Sequence, residues 1–168
     1  MATNFLDSAG SNGFIQAPFN LQSTELNALA SGSAITSSVG GSSGIFNQAS
    51  WANAIWGSIY FVAGGAFTPA AGGYLAGWFL LSPDGGTTFE TIVATPGSTV
   101  LALARAPDFI VPVYQGGAAY AANNFSWQQG RFCKVPWETH KIVIQNMSGA
   151  ALPSTGNLIK AGGVAIQY

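Results

Sequence analysis

The sequence predicts an all-β domain, a sandwich or a barrel, on three observations. Short runs rich in β-branched and aromatic residues, about seven to nine of them, recur at spacings near ten residues. Gly, Pro and Asp-Gly punctuation separates them. No amphipathic helical stretch of useful length lies between the runs, so an alternating α/β rhythm is absent, as is any fixed-period repeat. A chain of 168 residues suits one domain with a real core.

Taken in order, residues 1 to 50 are rich in Ser, Gly, Asn and Ala, with widely spaced apolar residues. Within them LQSTELNALA (Leu21 to Ala30) is compatible with a short helix capped by Ser23 or Thr24, and Ala34 to Val39 with an edge strand. The region reads as an extended N-terminal arm or as a loose terminus; Phe5, Leu6, Phe14, Ile15, Phe19 and Leu21 are anchors that favour the arm. The sandwich domain is then expected over residues 51 to 168.

Ile55 to Ala63 reads as a strand, Gly64 to Gly73 as a loop, and Tyr74 to Ser82 as a second strand. Pro83-Asp84-Gly85-Gly86 predicts a tight reversal, with Thr88 to Val93 pairing back as a hairpin. Thr99 to Ala104 and Phe109 to Tyr114 follow; Pro112 marks the latter as an edge strand or a bulge. Gln115 to Gly130 is a long polar loop. Arg131 to Val135, Trp137 to Asn146 and Asn157 to Gln167 complete the set, with a bulge or kink expected at Gly162-Gly163. Along Tyr74 to Leu81 both parities are apolar, and Ile142 to Ile144 repeats the pattern. Such strands are covered on both faces, by a loop of their own chain or by a neighbouring subunit.

The charge content is unusual. Only 7% of residues are charged, against about 25% in an ordinary soluble domain. With a net charge of -1, little self-repulsion opposes contact between copies, which points to subunit assembly. Arg105, Arg131, Lys134, Lys141 and Lys160 are scattered, so no basic patch for nucleic acid is legible. Cys133 is the one cysteine and forms no internal disulfide; no signal peptide and no membrane-length apolar helix are read.

Candidate chemistry is thin. Cys133, His140 and Asp108 contain the residue types of a nucleophilic triad, but no motif brings them together. Glu90, Glu138 and Asp108 offer a carboxylate pair only if the fold juxtaposes them. No catalytic residue, cofactor-binding residue or metal ligand is assigned, and no cofactor is expected. Asn124 and Asn146 stand in glycosylation-type triplets that read as chance. Among the five tryptophans, Trp127, with Tyr120, best fits a sugar-stacking platform, which keeps a carbohydrate-binding module as an alternative; the other reading is that they anchor contacts between subunits.

LAGWFLLSPDGGTTFE, ARAPDFIVPV and HKIVIQNMSGAALPSTGN, in that order, resemble small virion structural proteins of tailed bacteriophages, most of all head decoration or cement proteins. The resemblance spans roughly Ala54 to Tyr168 and is one of style and segment order. It implies a jelly-roll-like β-sandwich, no enzyme activity, and a dimer or trimer made in the host cytoplasm. It also implies a place on the phage head surface, bridging major capsid protein subunits without direct contact to nucleic acid or membrane. Residues 1 to 50 would then reach across to neighbouring subunits. Phage tail and fibre-base proteins share the same style and remain an alternative.

Overall fold

The structure is a computed structural model. It describes residues 19–22, 24–37, 44–51, 54–90, 105–113, 119–123, 125–127, 129 and 133–164. Among these the regular elements are nine strands and two single 3-10 turns, Thr24–Leu26 and Gln48–Trp51. The strands are β1 (Phe19–Gln22), β2 (Ala34–Thr36), β3 (Trp56–Val62), β4 (Tyr74–Leu81), β5 (Phe109–Pro112), β6 (Phe125–Trp127), β7 (Cys133–Lys134), β8 (His140–Met147) and β9 (Leu158–Val164). One sheet has the order β1-β9-β3-β6, with the short β7 also on β3; the other has the order β2-β8-β4-β5. Every pairing is antiparallel. The pairs are nested: β1 with β9, β2 with β8, β3 with β6, and β4 with β5. No helix among the described residues is long and apolar enough to cross a membrane.

The two sheets enclose one core. Alternate residues of β3 and β9 (Ile59, Phe61, Ile159, Ala161) meet alternate residues of β4, β5 and β8 (Leu75, Phe79, Phe109, Val111, Ile142, Ile144) in a single buried cluster. Each fully buried side chain of this size contributes about 1.5–3 kcal/mol. Trp51 lies within the cluster, fully buried. It sits on a slot made by two glycines that face each other across the β3–β9 ladder, Gly57 and Gly163. A Cβ on Gly57 would collide with the Trp51 ring, and one on Gly163 with the Trp51 carbonyl. The ladder runs in register through Gly162 and Gly163, so these glycines serve close approach and form no bulge. The register shift lies instead in β1, between Asn20 and Gln22.

The division expected at residue 50 does not hold for the described residues before it. β1 pairs with β9 and β2 with β8, and Leu21, Leu26, Leu29 and Phe46 are buried in the main core. The spaced apolar residues described there are core anchors, and the part of the expected arm before Phe19 lies outside the described residues. The short helix expected over Leu21 to Ala30 is the end of β1 and one 3-10 turn, because ladder bonds to β9 compete with a marginal helix. β2 is an edge strand as expected, and β5 with its Pro112 is the opposite edge.

The hairpin expected after Asp84 is half present. The reversal exists, with Gly85 and Gly86 at positive φ. Thr88 to Glu90 nevertheless form no strand, and Thr91 to Val93 lie outside the described residues, as does Thr99 to Ala104. β8 occupies one side of β4 along its length and β5 part of the other. The Asp84 carboxylate also takes the Thr87 and Thr88 amides at 3.1 and 2.8 Å, withholding them from a ladder. Those bonds, led by the Thr88 amide and hydroxyl and the Ser82 hydroxyl, hold the Asp84 carboxyl well below the usual carboxylate range. The polar stretch after Gln115 contains β6, which sequence reading missed.

The two-faced strand β4 is covered by its own chain. On its outer face Ala76, Trp78 and Leu80 form a second buried cluster with Ala34 and Val143, against which Tyr74 and Phe89 pack. Trp78 is 3% exposed and donates its indole N–H to the Arg105 carbonyl at 3.3 Å. Lys141 places its ammonium 4.5 Å from the centre of the Phe89 ring.

Candidate functional site

The histidine, the cysteine and the carboxylates named from sequence fall into different environments. His140 opens β8 and is fully buried. Its Nε2 accepts the Trp51 indole N–H at 3.2 Å, and its Nδ1 lies 2.9 Å from the Glu138 carbonyl oxygen, to which it donates. This arrangement selects the neutral tautomer protonated on Nδ1. Phe46 stacks on the ring and Phe79 meets it edge-on, with centroids 6.1 and 5.2 Å away. Burial pushes the imidazole below its ordinary value, against smaller opposing effects from the Glu138 carbonyl and charge. Cys133 is buried in β7 and donates its S–H to the Gly57 carbonyl at 3.6 Å. Asp108 is held by Arg105. With both ring nitrogens of His140 engaged by Trp51 and Glu138, the three residues make no triad.

Tyr120 is fully buried, packed on Phe61 and Phe67, with its hydroxyl 2.9 Å from the Ser126 hydroxyl. It cannot stack on a sugar from that position. The backbone of Trp127, in β6, pairs with Tyr60 of β3; its side chain lies outside the described residues. Asn146 is buried, donating to the Leu29 and Ala150 carbonyls at 2.8 Å each, and so is closed to modification in the fold. Asn124 lies outside the described residues. Among the described residues no group of three His, Cys, Asp or Glu is placed to hold a metal ion.

The structure does gather the carboxylates. Glu90, Asp108 and Glu138 all line one groove of about 470 Å³, which is bordered by the end of β4 and by the residues from Lys134 to Glu138. Its floor is apolar, from Phe79, Leu81 and Val135. Arg105 organises its polar side. It bonds both Asp108 oxygens at 2.7 and 2.8 Å, the Phe79 carbonyl at 2.6 Å, and the Glu90 carboxylate at 3.4 Å. The carboxylates are tied in turn to the backbone of β4: Asp108 accepts the Phe79 N–H at 2.7 Å and Glu90 the Leu81 N–H at 3.2 Å. Trp137 stands on the rim, 62% exposed.

From the sequence, Trp137 is expected at the start of a strand and Arg105 among scattered charges. β8 begins only at His140, and the chain bends through Trp137 and Glu138. The one local signal for this was Pro136, which breaks regular pairing just before the tryptophan. No protein family, no curated protein and no solved structure matches this chain.

Proposed function

We propose that the chain is a non-enzymatic virion structural protein that decorates a tailed-phage head and stabilises it by bridging major capsid protein subunits. The observation that carries this reading is the nesting of the strands. With the two-residue β7 set aside, the first strand pairs with the last, the second with the next to last, and so inward to β4 with β5. Alternate pairs fall in opposite sheets. This order supports a jelly roll, an architecture that recurs in viral shell proteins and lectins.

The 7% charge content supports assembly, since copies meet with little repulsion. Because β4 is covered by its own chain, the contact surface is sought elsewhere. Ile55, Trp56 and Met147 are large apolar side chains left exposed outside the groove. In this reading residues 1–18 act as the arm toward neighbouring subunits. Many modest contacts repeated over a shell resist internal pressure through avidity.

Light scattering on the full chain is expected to give a dimer or trimer. Cosedimentation with expanded phage heads lacking decoration is expected to saturate, and deletion of residues 1–18 to weaken it while leaving the melting temperature unchanged. A strict monomer that sediments with no head would overturn the proposal. Electron microscopy finding the protein at the tail or fibre base would replace it with the tail reading.

A further inference from the structure

The geometry points to a binding site for a neutral saccharide in the groove beside Trp137, a role that does not depend on attachment to a shell. A tryptophan normally buries its ring and satisfies its N–H. Trp51 and Trp78 do so at 0% and 3% exposure, whereas Trp137 leaves 62% of its surface in solvent at the rim of a concavity. At about 470 Å³ the groove lies within the range of small-ligand sites, about 300–1,000 Å³.

The polar wall matches hydroxyl groups. A sugar hydroxyl both donates and accepts, so it is met best by carboxylates and cationic donors side by side. Glu90 and Asp108 are fixed by Arg105 and by the amides of Leu81 and Phe79. A carboxylate accepts about four hydrogen bonds, so each keeps acceptor capacity while its position is already set. That preorganisation lowers the entropy lost on binding. The ring face of Trp137 would take the apolar face of a pyranose.

Charge narrows the class. Glu90, Asp108 and Glu138 outnumber Arg105 and Lys134 along the groove, which disfavours phosphates and acidic sugars. Two of the three carboxylates are already paired with Arg105, which leaves little unpaired negative charge to hold a basic peptide, and a neutral glycan avoids both conflicts.

The test is isothermal titration of the full chain with cellotriose, maltotriose and N-acetyllactosamine, with trigalacturonate and trilysine as charged controls. Saturable binding is expected for at least one neutral oligosaccharide. Trp137→Ala is expected to weaken it about tenfold or more, the size of one lost aromatic contact. Trp56→Ala, which alters an exposed tryptophan outside the groove, is expected to leave it unchanged. The melting temperature of each variant confirms folding, and Glu90→Gln provides a second probe of the wall, expected to weaken binding too. The inference is overturned if none of the three neutral sugars binds, if Trp137→Ala binds as well as the parent chain, or if either charged control binds more tightly. Head cosedimentation of Trp137→Ala separates this outcome from the capsid reading: loss of sugar with retained sedimentation leaves the two functions independent.

Discussion

Trp51 and Trp137 are both linked to Glu138, the first through His140 and the second along the chain, and show two opposite uses of the same residue type. Trp51 is enclosed by a glycine slot, and its N–H is bound to His140, whose other nitrogen reaches the Glu138 carbonyl. Trp137 adjoins that same residue along the chain, yet it is largely exposed beside a groove with an apolar floor and a charged side. The difference lies in what surrounds the indole. At Trp51 small residues let two strands close over the ring and every polar atom finds a partner, so the tryptophan contributes stability. At Trp137 no strand covers the side chain, and most of it is left in solvent beside the groove.

This contrast can be broken first at its buried end. Trp51→Ala removes a fully buried indole and leaves His140 Nε2 without its donor; a loss of about 3–5 kcal/mol is expected in urea unfolding. A loss under about 1 kcal/mol would show that the slot can collapse. Gly163→Ala is next. Its new methyl meets the Trp51 carbonyl, which cannot swing aside as a side-chain tip would, and about 1–3 kcal/mol is expected to be lost. Retained stability would mean that the 3-10 turn shifts freely.

The His140 contact gives a pH dependence of smaller size. The unfolded imidazole titrates near 6.5, and the folded one below it. Below pH 6.5 the unfolded state therefore binds more protons, so stability is full above that value and falls as the pH drops toward the folded pKa. Denaturation midpoints measured from about pH 8 down to about 5 are expected to decline below about 6.5 in the parent chain. A curve with the same slope in His140→Gln would place the sensitivity elsewhere. The smallest stability effect belongs to Trp137→Ala, expected within about 0.5 kcal/mol of the parent by the same unfolding measurement. A larger loss would make Trp137 a packing residue and blur the contrast.

Strands β3, β4, β5, β8 and β9 were legible because their β-branched and aromatic runs are local properties, bounded by Gly and Pro. The two apolar faces of β4 were equally legible; their cover was not, since Phe89 and Tyr74 reach the outer cluster only in the fold. The hairpin after Asp84 misled because a good turn fixes a reversal and leaves the length of the ladder open; the returning chain gives the Glu90 N–H to the Leu81 carbonyl, and β5 holds the same side of β4 further along. β1 was hidden in polar surroundings, and β2 was legible only as a short edge segment, because such a strand gains its stability from a distant partner and needs little propensity of its own.

The sequence by itself determined the all-β class, the principal strands, the restriction of Pro112 to an edge or a bulge, and the scarcity of charge, all set by local chemistry or composition. Tertiary structure alone decided which tryptophan is enclosed and which is presented. It also decided that Glu90, Asp108 and Glu138 share a groove while Cys133 and His140 do not share a site. Those outcomes depend on nested pairings between the two ends of the chain, whose partners no local pattern names.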